Sequence, residues 1–223
     1  MLRSDCVACG IVTLRPWLST SRDVGVFHVK HRPPTERTQA LAAYRHLIDT
    51  YHATLDLMSA RGREDLDRHV TDAVAYVEML FALSPAPNRI LDVGSGVGLP
   101  GIVIAAHLQD VAMELIERRT KRATFLRMAV AAVGAGEDVV VRCGDVRELE
   151  GPPVDVVIAQ AVARFEAVVA WTRDRHAPRT VVLARKGASW REEVEAVASA
   201  GIEVELVATR PLSEGGTLVA IRV

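Results

Sequence analysis

Short β-branched segments alternate with helical segments from Arg89 to the C-terminus, and this alternation restricts the fold more than any other feature. Strands that alternate with helices form a parallel sheet covered on both faces. The last two candidate strands have no helix between them, which predicts an antiparallel pair at one edge. The predicted strands are Ile90–Val93, Val111–Ile116, Val139–Val141, Val154–Ala159, Val181–Ala184, Val204–Val207 and Thr217–Val223; the predicted helices are Pro100–His107, Lys121–Val133, Arg164–Arg173 and Trp190–Ala200.

Helical patterning precedes this α/β region. Apolar residues recur at three- and four-residue steps from about Gln39 to Met58 and again from about Asp65 to Leu83. Pro33-Pro34 separates the first helix from an irregular stretch. The predicted parts of the chain are therefore an irregular extension over residues 1–38, a helical segment over 39–88 and the α/β domain over 89–223.

Composition and charge exclude several classes of protein. The formal net charge is −1, so any contact with nucleic acid must come from a local basic patch. The chain lacks an apolar run long enough to span a bilayer, and its N-terminus makes a poor signal peptide. Three cysteines are too few for a disulfide framework, so we expect a cytoplasmic protein. The pairs Cys6-x-x-Cys9 and His28-x-x-His31 lack the spacing of a zinc finger, and no metal is predicted.

The stretch "ILDVGSGVGLPG", residues 90–101, follows the first predicted strand of the sheet. Its glycines stand at positions 94, 96 and 98, whereas the dinucleotide fingerprint G-x-G-x-x-G would need glycine where this chain has Leu99. A diphosphate clamp is therefore disfavoured. Glycines at alternate positions still let the backbone pass close to a ligand, because they carry no Cβ.

Acidic residues follow the first three predicted strands. Glu117 can accept both hydroxyls of a ribose, and Asp145 can accept an adenine amino group beside the backbone of Val146 and Arg147. Asp92 would face a positively charged or amino group. An adenosine site with acids and without a phosphate clamp fits S-adenosylmethionine, so the sequence predicts a methyltransferase.

Four segments resemble one known family, the small-subunit ribosomal RNA guanine-N(7) methyltransferases (RsmG, or glucose-inhibited division protein B). The segments are "ILDVGSGVGLPGI", "LIERRTKRATFL", "VVLARKG" and "DRHVTDA". The resemblance implies a Rossmann-like class I methyltransferase fold with a seven-stranded, mostly parallel sheet and an antiparallel terminal strand. It also implies S-adenosylmethionine as cofactor and, as acceptor, guanine 527 in the 530 loop of 16S rRNA, free or within the small ribosomal subunit.

The residue pattern and the family resemblance together predict the site residues. The cofactor would contact Asp92, Gly94, Gly96, Gly98, Leu99, Glu117, Asp145, Val146, Arg147 and Gln160; the catalytic candidates are Lys186 and Gln160; the RNA-binding candidates are His69, Lys121, Arg122 and Lys186. Trp171 and Trp190 are interpreted as packing residues. Attack by the guanine N(7) lone pair needs alignment more than acid–base chemistry, so no nucleophilic triad is expected.

Three departures from the family pattern leave alternatives open. Gln160 stands where the family has an arginine, Asp145 replaces another cation, and Asp56-Leu57-Met58 replaces an Asn-Leu-Thr element. A methyltransferase with another acceptor, or a weakly catalytic RNA-binding member of the family, therefore remains an alternative. A nicotinamide-dependent oxidoreductase is disfavoured by Leu99 and by the lack of a Tyr-x-x-x-Lys element. We expect a monomer without an obligate protein partner.

Overall fold

The computed structural model describes residues 30–83, 85–213 and 215–223. Its elements, in chain order, are β1 (Lys30–His31), α1 (Pro34–Leu55), α2 (Ala60–Glu64), α3 (Leu66–Ala82), β2 (Arg89–Val93), α4 (Gly101–His107), β3 (Leu108–Gln109), β4 (Ala112–Glu117), α5 (Thr120–Ala132), β5 (Val139–Cys143), β6 (Val154–Gln160), α6 (Phe165–Thr172), β7 (His176–Lys186), α7 (Trp190–Ser199), β8 (Glu205–Pro211) and β9 (Thr217–Arg222). Single 3-10 turns lie at Gly136–Asp138, Val146–Glu148 and Arg173–Arg175.

Seven of the strands form one sheet in the order β5-β4-β2-β6-β7-β9-β8. The strands from β5 to β7 in this order are parallel, and β9 runs antiparallel to both β7 and β8. The predicted mostly parallel sheet with an antiparallel pair at one edge is confirmed. The parallel strands direct their carboxyl ends to one edge, and the loops that follow β2, β4, β5 and β6 meet there.

Several boundaries differ from the sequence prediction. Helix α1 begins at Pro34 rather than near Gln39, because proline suits the first turn of a helix. Strand β7 begins at His176, but its pairing with β6 is interrupted by a register shift between Val154 and Val156. Because of that irregularity, the residue pattern in the first part of β7 does not predict a strand.

A second, two-stranded sheet was not predicted. It pairs β1 with β3 in antiparallel orientation, and the ring of His31 stacks on Phe81 with centroids 3.7 Å apart. The other members of the two cysteine and histidine pairs, Cys6, Cys9 and His28, lie outside the described residues.

Hydrophobic side chains bury both faces of the large sheet. One cluster joins the sheet to α1, α3, α4 and α5 and includes the fully buried rings of Tyr44, Tyr76 and Phe125. The opposite cluster joins the sheet to α6 and α7 and includes Phe165 and Trp190. The N-terminal helices therefore share a core with the sheet rather than forming a separate one. Among the described residues, none of the helices has the length and apolar character needed to cross a membrane.

Candidate active site

The glycine loop after β2 turns through three residues with positive φ, at Gly94 (+68°), Gly96 (+58°) and Gly98 (+102°). A Cβ on Gly94 would lie 2.9 Å from the Cγ2 of Val162, in the loop after β6. A Cβ on Gly98 would lie 2.4 Å from the Cγ1 of Ile102, in α4. Gly94 therefore permits two loops to approach each other, whereas Gly98 permits the loop to pack on its own helix.

A first cavity of about 310 Å³ opens beside this loop at the carboxyl ends of the strands. This is where ligands bind in open α/β sheets. The loops after β2, β4, β5 and β6 all contribute to it. Its lining residues are Val93, Gly94, Ile116, Glu117, Arg118, Arg119, Arg122, Asp145, Val146, Arg147, Ala161, Val162 and Trp171.

The Glu117 carboxylate is held in one orientation by two backbone amides. Its Oε2 accepts from the amide of Gly96 at 3.0 Å, and its Oε1 accepts from the amide of Arg119 at 2.7 Å. Glu117 is buried. Each carboxylate oxygen carries a second acceptor site, so Glu117 can also accept a further hydrogen bond on each oxygen. This geometry fits the vicinal hydroxyls of a ribose.

Asp145 and Arg147 form a second polar group at the cavity wall. Asp145 Oδ1 accepts from the backbone amide of Arg147 at 3.0 Å and from its Nε at 2.9 Å, and Oδ2 accepts from Nη2 at 2.6 Å. These hydrogen bonds hold the pKa of Asp145 well below its usual range. The Arg147 guanidinium also lies 5.7 Å from the ring centroid of Trp171. Trp171 packs against the core, as interpreted from sequence, and it also lines the cavity with Val146, which gives the cavity an apolar wall.

Asp92 is placed differently from the sequence expectation. It is buried, with 1% of its surface exposed, and it is absent from the residues that line the cavities described here. Among the described residues, its Oδ2 has no hydrogen-bond partner. Burial raises the pKa of Asp92 to about 7, with a smaller contribution from the negative charge of Glu117. Asp92 therefore lies beneath the glycine loop and supports it, instead of facing the ligand.

A second cavity of about 310 Å³ adjoins the first and shares Gly94, Arg122, Ala161 and Val162 with it. Gln160 and Leu99 line it from the sheet side. The N-terminal helices form the opposite wall with Leu57, Met58, Gly62 and His69; the remaining lining residues are Ser95, Gly96 and Val97.

Arg122 stands where the two cavities meet. Its Nη2 donates to the backbone carbonyl of Asp56 at 3.2 Å, so it links α5 to the loop that follows α1. Asp56 adopts a left-handed conformation with φ of 50°, which turns the chain from α1 toward Leu57 and Met58. The resemblance to the family made Arg122 an RNA-binding candidate, but its contact with the helical segment could not be inferred from the sequence.

Lys186 requires a correction. Its side chain is 6% exposed, and the ammonium lies 2.8 Å from Oε2 of Glu193 and donates to the carbonyl of Ala163 at 2.7 Å. The same Glu193 oxygen accepts from the amide of Phe165 at 3.0 Å. Lys186 is therefore buried and belongs to the lining of neither cavity, and its hydrogen bond to Ala163 holds the loop that carries Ala161.

Two further candidates fall outside the cavities. Lys121 is exposed on α5, and Gly98 is enclosed by Ile102 and Leu126; neither belongs to the lining of the two described cavities. The first and second cavities thus bring together Gly94, Gly96, Leu99, Glu117, Asp145, Val146, Arg147, Gln160, Arg122 and His69.

Two solved structures with the same architecture contain a bound ligand, which is SAH in one and a cofactor in the other. An O-methyltransferase from Bacillus cereus, in complex with SAH, superposes with a TM-score of 0.55 at 14% identity, covering 82% of this chain and 90% of that one. The cofactor-bound protein Rv0187 from MTB gives a TM-score of 0.54 at 16% identity, covering 86% and 90%. The chain therefore has the class I S-adenosylmethionine-dependent methyltransferase fold.

Sequence comparisons identify the protein family as well as the fold. Proteins named ribosomal RNA small subunit methyltransferase G are 34% identical to this chain in Leptothrix cholodnii, over 74% of this chain and 77% of that protein, and in Methylobacillus flagellatus, over 74% and 78%. The family model GidB, described as rRNA small subunit methyltransferase G, matches residues 37–211. The chain belongs to this family of rRNA small subunit methyltransferases.

Proposed function

We propose that the protein transfers a methyl group from S-adenosylmethionine to N(7) of a guanine in the 530 loop of 16S rRNA. The observation that carries this proposal is the contact between the first and second cavities at Gly94, Ala161, Val162 and Arg122. One cavity has the groups that adenosine requires. The other is lined by the N-terminal helices as well as by the sheet, so a base bound there would contact both.

The first cavity fits the cofactor. Glu117 offers two oriented carboxylate oxygens for the ribose hydroxyls, and Val146 and Trp171 offer apolar surface for the adenine ring. Asp145 keeps an acceptor site on Oδ2 for the adenine amino group, because Oδ1 accepts two hydrogen bonds from Arg147 and Oδ2 accepts only one. The bound cofactor supplies an electrophilic methyl group on sulfur. Gly94 allows the backbone to approach the ligand at the junction of the cavities.

The second cavity fits a base that must be held and aligned. N(7) of guanine has a free lone pair on its major-groove edge, so methyl transfer needs no general base. Alignment of two reactants supplies much of the reduction in barrier. Gln160 and His69 supply hydrogen-bonding groups for the base edges, and Leu57 and Met58 supply apolar contact for its faces. Lys186 acts through Ala163 by holding the loop next to Gln160, and Lys121 and Arg122 supply positive charge for the RNA.

Nucleoside mapping of rRNA tests the proposal. We expect 16S rRNA from a strain without this gene to lack 7-methylguanosine in the 530 loop, and purified protein to restore it with S-adenosylmethionine. Glu117→Ala, checked for folding by circular dichroism, is expected to fail in the same assay. An unchanged level of 7-methylguanosine in the deletion strain would contradict this acceptor and favour another one.

We further propose that the protein acts as a monomer in the cytoplasm, where ribosomal subunits are assembled. Sedimentation at micromolar concentration, with and without S-adenosylhomocysteine, is expected to give one species of monomer mass.

A further inference from the structure

A third cavity, of about 190 Å³, continues from the second one. It is lined by Arg61, Asp65, Arg68, His69, Asp72 and Arg185. His69 lines both the second and the third cavity, so their contents would be adjacent. The sheet makes the same connection, because Gln160 of the second cavity is paired with Arg185 of the third across β6 and β7.

The charged groups of the third cavity are oriented by ion pairs. The Nη1 of Arg185 lies 3.0 Å from Oδ2 of buried Asp72, and its Nη2 donates to the carbonyl of Gly215 at 3.1 Å. The Nε of Arg61 lies 3.8 Å from Oδ2 of Asp65, which also pairs with Arg68. Three guanidinium groups thus face two carboxylates, which leaves an excess of positive charge.

A guanidinium has five N–H donors in a planar fork, and an ion pair with one carboxylate uses only some of them. Because buried Asp72 fixes the guanidinium group of Arg185, its other donors are held ready for a second acceptor, whereas the side chain of Arg61 is 90% exposed and lies open to a ligand. Arginine in this arrangement is suited to phosphate, which it binds with two parallel hydrogen bonds. A nucleotide carries its phosphate beside its base, so a base in the second cavity places a phosphate near the cavity that shares His69 with it.

We propose that the third cavity binds a backbone phosphate of the RNA strand that carries the target guanine, through Arg61, Arg68 and Arg185. This inference rests on the proposed function, since it assumes a base in the second cavity. It assigns a role to Arg61 and Arg68, which neither the glycine loop nor the acids of the cofactor site explain.

The double variant Arg61→Gln/Arg68→Gln tests the site. We expect a KM for unmodified rRNA at least about tenfold higher and S-adenosylhomocysteine affinity within about twofold of wild type. The salt dependence of RNA binding should also become weaker, by about 0.7 in the log–log slope for each single-strand phosphate contact that is lost. Arg61→Lys/Arg68→Lys should retain part of the affinity, because the charges remain.

Arg173→Gln is the matched control, since Arg173 is exposed in the turn before β7, at the opposite ends of the strands. It should leave KM and the salt slope unchanged. Unchanged KM and slope in the double variant would overturn the phosphate site, as would an equal loss of cofactor affinity. A thermal shift with inorganic phosphate that disappears in the double variant, without any change in KM for RNA, would assign the cavity to a free anion and overturn the RNA contact. Failure of wild-type protein to methylate any rRNA would instead overturn the proposed function, while RNA binding with S-adenosylhomocysteine present would still report on the third cavity.

Discussion

Replacing Gly101 by alanine is expected to push α4 away from the sheet. Gly101 is the first residue of this helix. A Cβ at this position would lie 2.4 Å from Oδ2 of Asp92 and 2.7 Å from Cδ2 of Leu115. These two residues are paired neighbours on β2 and β4, at the centre of the sheet. The added methyl group therefore has no flexible surface side chain to displace.

The magnitude follows from two opposing effects. Overpacking a close-packed interior costs about 1–3 kcal/mol. Alanine also restricts the unfolded chain more than glycine does, which returns about 0.4–1 kcal/mol. We expect Gly101→Ala to lower the free energy of unfolding by about 1–2 kcal/mol. For a chain of this size, that corresponds to a fall in Tm of roughly 2–8 °C.

Urea unfolding and calorimetric titration with S-adenosylhomocysteine measure this effect. Because α4 follows directly from the glycine loop, the cofactor affinity should fall together with stability. Gly187→Ala is the matched control: within the described part of the chain, a Cβ added at this position would have no neighbour inside 4 Å, and the φ of Gly187 is not positive. The control should be neutral or slightly stabilising. Wild-type stability and affinity in Gly101→Ala would refute the close contact between the helix start and Asp92.

Three further predictions test other parts of the site. Burial raises the pKa of Asp92 from its ordinary value of 3.8 to about 7 in the folded state, so the folded state binds more protons between these values and the free energy of unfolding falls by a few kcal/mol as pH rises from about 4 to 7. Asp92→Asn should make the free energy of unfolding less dependent on pH in urea titrations at pH 5 and pH 8. An equally steep pH dependence in the variant would contradict this prediction. Breaking the buried ion pair with Lys186→Met or Glu193→Gln should lower the free energy of unfolding by about 3–5 kcal/mol. The double variant should lose less than the sum of the two single losses, and additive losses would show that the two side chains are not coupled. Glu117→Ala should weaken S-adenosylhomocysteine binding by about ten- to hundredfold, as expected for hydrogen bonds to a charged group, and a Kd within twofold of wild type would remove Glu117 from the ribose site.

The order of strands and helices could be predicted because strands buried on both faces have a distinctive composition. The location of Glu117 and Asp145 could also be predicted, because each stands at the carboxyl end of a parallel strand and these ends meet at one edge of the sheet. The close contact of Gly94 with Val162 was not predictable, because the two lie far apart in sequence.

Lys186 shows where reasoning from position alone fails. It was a site candidate because it ends β7 beside the cavities. Successive side chains on a strand point to opposite faces, and here Arg185 faces Asp72 while Lys186 faces Glu193. The sequence does not indicate which of the two neighbours faces the N-terminal helices, since both are cationic and the strand is covered on both faces.

Trp171 packs against the core as predicted, but its place in the cavity wall was not predicted. It lies near the C-terminal end of an apolar helix, where a packing role is the simplest expectation. Its contact with Arg147 depends on how the 3-10 turn after β5 lies against that helix, and local sequence carries no signal for this arrangement.

The composite origin of the second cavity has a consequence for how such enzymes diverge. The sheet and its loops carry the groups for the methyl donor, whereas Leu57, Met58 and His69 come from the helical segment. Acceptor preference can therefore change through substitutions in one stretch of the chain while the donor chemistry remains intact. Exchange of residues 56–69 between members of this family would therefore change which acceptor is methylated and leave the binding of the methyl donor unchanged.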